Sequence, residues 1–355
     1  KRKWADISAE TAGEQYTPND IISLIAEIVG AKVKPRNNKY LSIYDPTCGG
    51  GNLLFGVGDK LKEDFGHKYI AMYGRDFNDS LYAWAAIESR FRDNANIEYG
   101  NTLTARPFNE LEFDVSVANP PYGISWKGYE KEVRKDETGQ FKYYPSVSDG
   151  QLLFMQHIVD RLNKNGFAVE VHNGSTLFSG DAGGGESNIR KYIFDKDWVE
   201  AIIQMPSDEF FNTGIFTYLW IMNKNKPIER KDKIILINGS NGWKQLKKSR
   251  GNKRKEMLHE HRKAIVNALL DFRDNDIAKV FNKWHFYYNK QALGVPLKLT
   301  ADMETNGTAR STVEEVYKQI VSDLKAASDL FEKYPKRRGS YRINLPTTNI
   351  LLSRV

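Results

Sequence analysis

The chain has 355 residues, 40% of them hydrophobic and 12% aromatic, which is enough for a full α/β domain with an appended part and too apolar for a disordered chain. A net charge of +7 and a pI near 9.1 suit a polyanionic partner. The single cysteine, Cys48, excludes an intramolecular disulfide and fits a reducing cytoplasm, and no apolar run has the length of a membrane span or a signal segment.

Residues 1–14 are polar and lack a periodic apolar face. Gln15-Tyr16-Thr17-Pro18 leads into Asn19-Asp20, a good N-cap pair. Ile21, Ile22, Leu24, Ile25, Ile28 and Val29 follow at helical spacing, with Gly30 placed to end the helix. After a basic loop, residues 41–44 read as a strand running into Asp45-Pro46-Thr47-Cys48-Gly49-Gly50-Gly51, and a helix begins near Asn52. Strand, glycine loop and helix in that order form the place where an α/β sheet takes a nucleotide-like cofactor, because glycines let the backbone come close and the helix points free amides at the loop. A plain tight turn is the competing reading. No Gly-Lys-Ser/Thr ending follows, which argues against a P-loop. An acid at the strand end, Asp45, suits a cofactor carrying a positive group better than one carrying phosphates.

A second strand, residues 69–73, ends at Gly74-Arg75-Asp76-Phe77-Asn78. Asp76 there can accept both hydroxyls of a ribose, or be a solvated loop acid. A helix over 79–91 and a strand over 97–99 lead to Asn101, which either bonds an adenine edge or caps a turn. The fourth strand, 113–117, delivers Asn119-Pro120-Pro121-Tyr122-Gly123. Two prolines cannot donate ladder hydrogen bonds, so they stop the strand in a stiff turn and leave free carbonyls between an amide and an aromatic ring. Taken alone, Asn-Pro-Pro is also ordinary turn punctuation.

Residues 124–148 are loop-like and interleave Trp126, Tyr129 and Tyr144 with Lys127, Lys131 and Arg134. That mixture suits a loop facing nucleic acid, or a surface loop with no partner. Ser148-Asp149 caps a helix reaching 162, followed by a strand over 167–171, His172-Asn173-Gly174-Ser175, a glycine-rich turn over 180–185 and a helix over 187–194. Strands 199–205 and 216–222, joined by a loop holding Phe210, Phe211 and Asn212, complete seven. Five alternate with helices and the last two pair antiparallel, which predicts a doubly wound, mostly parallel α/β sheet.

Beyond Lys224 the pattern changes to one more short strand over 234–237 and a basic run over 244–263. That run is either a solvated linker, the plainer reading, or a phosphate-tracking surface. Helices over 262–272 and 311–334 follow, and Lys336-Arg337-Arg338 opens a tail that looks like a connection to something further. His259 and His261 lack the spacing of metal ligands on one helical face, so no metal site is expected.

With these pieces in order, the chain resembles the N6-adenine DNA methyltransferases, most closely the modification subunits of type I restriction–modification systems, over residues 13–297. The motifs that carry the likeness are Gln15-Tyr16-Thr17-Pro18, Asp45 to Gly51, Asp76 and Asn119-Pro120-Pro121-Tyr122. Ser148-Asp149-Gly150-Gln151-Leu152-Leu153-Phe154 and His172-Asn173-Gly174-Ser175 are similar to further type I segments. The resemblance implies the class I S-adenosylmethionine-dependent methyltransferase fold over 19–226, preceded by a cofactor segment over 1–18 and followed by a basic, mostly helical extension over 227–355. It implies S-adenosylmethionine held by Gln15, Tyr16, Thr17, Pro18, Asp45, Pro46, Thr47, Cys48, Gly49, Gly51, Asp76, Phe77, Asn101 and Asn119. Asn119, Pro120, Pro121 and Tyr122 would be catalytic, with Tyr122, Phe211, Trp126 and Lys127 against the base or the DNA.

The implied reaction is direct methyl transfer to N6 of a flipped-out adenine in double-stranded DNA, in the cytoplasm of a prokaryote and away from any membrane. No segment reads as a target-recognition domain, so the implied partners are a specificity subunit, a restriction (nuclease/translocase) subunit and further modification subunits. Cys48 has no nucleophilic part in this chemistry, and Asn rather than Ser before Pro-Pro favours adenine over cytosine N4. Two departures stand out. Asp76 takes the place of a usual Glu, and almost nothing precedes Tyr-Thr-Pro where these subunits carry a helical domain, which points to a fragment or a processed form. Two alternatives remain: an Asn-Pro-Pro-Tyr methyltransferase acting on a protein glutamine or on RNA, and a non-catalytic cofactor-binding scaffold.

Overall fold

The computed structural model describes residues 16–35, 39–106, 108, 111–181, 183–211, 213–283 and 313–333. The chain divides into two compact units, Lys1–Asn282 and Lys283–Val355. The first opens with α1 (Asn19–Lys32), β1 (Leu41–Asp45), α2 (Asn52–Phe65), β2 (Ile70–Asp76), α3 (Asp79–Ser89), β3 (Ala95–Tyr99) and β4 (Phe113–Ala118). It continues through α4 (Glu130–Arg134), α5 (Gln151–Arg161), β5 (Leu162–Asn173), α6 (Ser175–Phe178), α7 (Gly185–Asp195), β6 (Val199–Gln204) and β7 (Thr217–Asn223). It closes with β8 (Lys233–Asn238), β9 (Lys244–Arg250), β10 (Lys253–Glu256), α8 (His259–Asp271) and β11 (Ala278–Asn282). In the second unit the described element is α9 (Val313–Lys333), a helix with Tyr317 and Leu330 exposed. No helix among the described residues is long and apolar enough to cross a membrane.

One sheet organises the first unit, in the order β11-β8-β6-β7-β5-β4-β1-β2-β3. Strands β3, β2, β1, β4 and β5 are parallel, and β7 runs antiparallel between β5 and β6. These are the seven expected strands. Buried on both faces, the central ones read as near-continuous apolar runs, such as Leu41, Ile43 and Tyr44 or Val115 and Val117. On one face α1 and α2 bury Ile21, Leu24, Ile25, Ile28, Leu54 and Val57, each such side chain worth about 1.5–3 kcal/mol. On the other, α5 and α7 cover Ala168, Ile202 and Trp220 with Met155, Ile158, Ile189 and Ile193.

Several local expectations give way to longer-range packing. Asn19-Asp20 lies inside the first turn of α1, whose preceding residue is Pro18, and Asp20 is buried. Gly30 does not end that helix; its missing side chain admits Phe65 of α2, whose ring would lie 2.4 Å from a Cβ there. Gly150, rather than Ser148 or Asp149, directly precedes α5, and Asp149 serves through its side chain, which accepts from Gln151 N.

The expected domain end at 226 moves to Asn282, because β8 adds a parallel strand beside β6 and β11 an antiparallel one beside β8. Residues 233–256 are therefore largely strand where a mostly helical extension was expected. The helix α8 packs Ile265, Ala268 and Leu269 into the same core as α1.

The site is positioned by topology. Strand β1 has β2 on one side and β4 on the other, so the chain order reverses there, and a crevice opens beyond the carboxyl ends of these strands. Asp45, Asp76 and Asn119 all sit at that edge.

Candidate active site

The glycine loop leaves β1 through Asp45. This carboxyl is 1% exposed, and its Oδ1 accepts from Thr47 N at 3.0 Å. Burial pushes its pKa up to about 8, with Asp76 and Glu170 adding to the rise. Pro46 O accepts from Thr102 Oγ1 at 2.7 Å. The turn is tied to β2 by Cys48 N donating to Arg75 O, and by Gly49 N donating to Asp76 Oδ2 at 2.9 Å. Gly51 sits in the left-handed region at φ 79°, immediately before α2.

Asp76 Oδ1 accepts from Asn78 N at 2.9 Å, and burial raises its pKa despite these amides. Phe77 beside it is 54% exposed, a free aromatic face next to a carboxylate. Burial likewise raises the Cys48 thiol, with Asp45 and Asp76 next in effect, so the sulfur is neutral packing. Asn101 turns out to serve its own turn, with Oδ1 accepting from Leu103 N at 2.9 Å.

Asn119 follows β4 and is 7% exposed. Its Nδ2 donates to Thr17 Oγ1 at 3.0 Å, and its Oδ1 accepts from Tyr122 Oη at 2.7 Å. Pro120 and Pro121 lie between them. Tyr122 is partly buried against the core of the α1 face, and burial, then Glu170, pushes its phenol well above the ordinary range.

The segment before α1 closes over this corner. Thr17 O accepts from Asn52 Nδ2 at 2.9 Å and Tyr16 Oη donates to Asn52 Oδ1 at 3.0 Å. The Tyr16 ring meets Phe211 edge-on, with centroids 5.7 Å apart. Tyr16, Thr17, Asn52, Asn119, Tyr122 and Phe211 thus form one linked set from the glycine loop to the turn after β4. Gln15 lies outside the described residues.

Two expected neighbours of the base part company. Trp126 is 2% exposed, in a small core with Leu103, Val133, Phe141, Leu153 and Phe154, and its Nε1 donates to Ser146 O at 2.9 Å. It is therefore not available to a base: Trp126 and Phe141 both face Tyr144, stiffened by Arg134 over the Tyr144 ring, while Tyr129 and Tyr143 of the same loop stay exposed. Lys127, next to it, is exposed.

Three features escaped the sequence reading. Asn52 is the hub that binds Tyr16 and Thr17; its signal was its place as first residue of the helix after the glycines. Glu170, opposite Ala118 in the β4–β5 register, is fully buried beside His172, with Nε2 to Oε1 at 3.1 Å. It is an acid inside an apolar strand, which was visible. Lys253 donates to both oxygens of Asp20 and to Glu209 from inside the protein, a link between distant segments that left no local mark.

The donor set can be tested for fit to S-adenosylmethionine. Asp45, Asp76 and Glu170 raise one another or are raised by burial, so this corner is acidic and favours a cation. Asp76 keeps lone pairs for a ribose, and Phe77 offers a face for a base. The residues fit the cofactor.

A sheet of this strand order, with its glycine turn after β1 and an acid ending β2, is the class I S-adenosylmethionine-dependent methyltransferase fold. Within that class, the chain belongs to the N-6 DNA Methylase family, whose profile matches residues 2–293. It is 32% identical over 263 residues to the type I restriction enzyme MpnII methylase subunit of Mycoplasma pneumoniae, covering 69% of this chain and 46% of that one. The MjaIX methylase subunit of Methanocaldococcus jannaschii is 27% identical over 293 residues, covering 80% and 50%. Among solved structures, the type I restriction-modification methyltransferase subunit from Streptococcus thermophilus superposes with a TM-score of 0.67 at 25% identity, covering 79% of this chain and 58% of that one. The chain spans about half the length of the curated relatives it matches.

Proposed function

We propose that this chain is the catalytic part of a DNA adenine-N6 methyltransferase, working as a modification subunit in a type I restriction–modification complex. The observation that carries the reading is the Asn119 amide, fixed by Thr17 and Tyr122 at the end of β4 beside an acidic, glycine-lined corner. Family membership and likeness to type I methylase subunits support it.

S-adenosylmethionine supplies an electrophilic methyl group on a sulfonium. The chain's residues do the rest. Asp45 would meet the positive end of the cofactor, Asp76 the ribose hydroxyls and Phe77 the adenine ring, with Gly49 and Gly51 allowing close approach. Asn119 Oδ1 and Pro120 O accept the two N6 hydrogens of the target base, which draws that nitrogen towards a tetrahedral shape and aims its lone pair. Such positioning is worth at most roughly 7–11 kcal/mol. Flipping the base costs a few kcal/mol; Tyr122, with Phe211 nearby, offsets this by stacking, at about 1–3 kcal/mol per base. After transfer the nitrogen's surplus proton leaves to water.

The address on the DNA comes from a specificity subunit, with a nuclease/translocase subunit and further modification subunits as the other partners, in a prokaryotic cytoplasm. The isolated chain therefore methylates DNA weakly.

The test maps N6-methyladenine in DNA from cells carrying the wild-type chain or Asn119→Ala. The variant is expected to lose at least roughly 10²–10³-fold in transfer. Unchanged methylation overturns the reading, as does label from the cofactor found in protein or RNA and not in DNA.

A further inference from the structure

The basic run after β8 is neither linker nor helix. Strands β9 and β10 pair as an antiparallel ribbon, with Lys253 opposite Arg250 and Glu256 opposite Lys244. Residues 244–256 hold seven cations and one carboxylate. Two cations are committed within the protein: Lys253 to Asp20 and Glu209, and Lys255 to Ser207 Oγ at 2.9 Å. Lys244, Lys247, Lys248, Arg250 and Arg254 are exposed and make no ion pair among the described residues. A groove of about 660 Å³ runs along Lys244, Lys247, Lys248 and Arg250, and the single acid, Glu256, lies opposite Lys244 at the end of the ribbon away from its turn.

A linker needs no root, and this ribbon has three. Lys253 is buried between two carboxylates, one heading α1 and one in the loop after β6. Asn252 N donates to Phe211 O at 2.7 Å, and Arg254 N to Asp208 O at 2.9 Å. Gly251, at φ +57°, lies so close to Phe211 that a Cβ would meet its carbonyl oxygen at 2.5 Å. The ribbon is thereby fixed to the loop whose Phe211 touches Tyr16, in the same linked set of side chains as Asn119.

We propose that the β9–β10 ribbon is a DNA-backbone grip that holds phosphates next to the target base; this rests on the DNA methyltransferase function proposed above. Seven residues of strand at 3.2–3.4 Å each reach roughly 20 Å, and one DNA strand carries a phosphate per roughly 3.4 Å of axis, so the ribbon spans several phosphates. Cations on a rigid arm beside the catalytic corner neutralise the backbone there. Both the affinity and the register of the flipped nucleotide depend on it.

The test uses a variant carrying Lys244→Gln, Lys247→Gln, Lys248→Gln and Arg250→Gln, with the single Lys247→Gln and Lys248→Gln chains in case the fourfold change disturbs folding. Fluorescence anisotropy with a labelled non-specific duplex follows affinity across a salt series, alongside the melting temperature and S-adenosylmethionine binding. Each phosphate that is no longer neutralised lowers the slope of log K against log salt by about 0.9, so the fourfold variant is expected to lose up to about 3.6 and each single variant up to about 0.9. Melting temperature and cofactor affinity stay as in the wild type. An unchanged slope overturns the grip, as does a wild-type chain that binds cofactor but no duplex. Unchanged DNA binding with loss of a protein partner assigns the ribbon to that partner instead. A wild-type chain that methylates DNA but whose slope ignores these four residues fails the grip alone, whereas methyl transfer to protein or RNA fails the underlying function.

Discussion

The two halves of the candidate site satisfy their polar groups in opposite ways. In the cofactor half, between β1 and β2, backbone amides hold the carboxylates: Thr47 N on Asp45, and Gly49 N and Asn78 N on Asp76. Neither acid is ion-paired among the described residues, and burial lifts both towards protonation. In the acceptor half, after β4, side chains saturate one another: Tyr122 on Asn119, Asn119 on Thr17, Tyr16 on Asn52. The first half is preorganised and short of positive charge. The second is closed on itself, so a base taken up there as proposed meets side chains already bonded to one another. Ligand binding in the one should follow charge and pH, and in the other the strength of the bonds being displaced.

The largest effect is expected beneath the acceptor half. Lys253→Met leaves Asp20 and Glu209 facing each other without their cation. Burial, then the neighbouring Asp20, already raises the Glu209 pKa, while hydrogen bonds from Glu209 and Lys253 hold Asp20 down against its own burial. Removing one partner of a buried network costs about 3–5 kcal/mol, on the order of 10 °C in melting temperature for a unit of this size. Adding Asp20→Asn and Glu209→Gln should recover most of it. A single variant that melts like the wild type shows that the staple carries no load.

In the cofactor half the decisive residue is Asp45. Its folded pKa of about 8 stands above its ordinary 3.8, so the protonated form stabilises the fold fully below pH 4, and that contribution is lost as pH rises to 8. If Asp45 meets the cofactor's cationic group as proposed, that group binds the ionised form, and affinity for S-adenosylmethionine should rise by up to about tenfold per pH unit below 8 and then level. Asp45→Asn abolishes the dependence and removes a charged hydrogen bond worth about 1.5–3 kcal/mol, roughly 10- to 150-fold in Kd. Calorimetry in two buffers of different ionisation enthalpy registers the proton released by the wild type and none from the variant. A flat pH profile in the wild type breaks the contrast between the halves.

The sequence exposes the parts of each half better than their connections. The central strands are legible because parallel strands buried on both faces must be apolar, and the motifs fall at strand ends because that is where turns go. Strand β9 escapes because both its faces are polar: its extended form comes from β10 and from Lys253, not from a core of its own. Asp20 reads as a cap because cap residues are recognised locally, yet its partner is 233 residues away. Trp126 reads as a surface aromatic because nothing nearby in sequence announces the small core that buries it. The Thr17–Asn119 bond joins residues 102 apart, so the motifs predict both groups without predicting that one holds the other.

That bond gives the next smaller effect. Thr17→Val keeps the volume and removes the acceptor for Asn119 Nδ2, so the amide is free to rotate its nitrogen towards the base. One neutral hydrogen bond is worth about 0.5–1.5 kcal/mol, so kcat should fall roughly two- to tenfold, while Thr17→Ser restores it. A loss confined to cofactor Kd would place Thr17 with the cofactor half instead.

The smallest change has the opposite sign and separates the halves most sharply. The Tyr122 hydroxyl donates to Asn119 Oδ1, the acceptor that the proposed mechanism assigns to the target N6, so on that mechanism the hydroxyl competes with the substrate for the stronger of the two lone-pair positions. Tyr122→Phe keeps the ring for stacking and removes the competitor, and target binding should tighten by a few-fold, within the roughly 0.5–1.5 kcal/mol of the bond displaced. Tyr122→Ala discards the ring as well and should weaken binding by about 1–3 kcal/mol. Steady-state KM for the DNA, measured at saturating cofactor, orders the three proteins as Phe, wild type, Ala. If Phe instead falls beside Ala, the hydroxyl belongs to the bound state, and the acceptor half is as preorganised as the cofactor half.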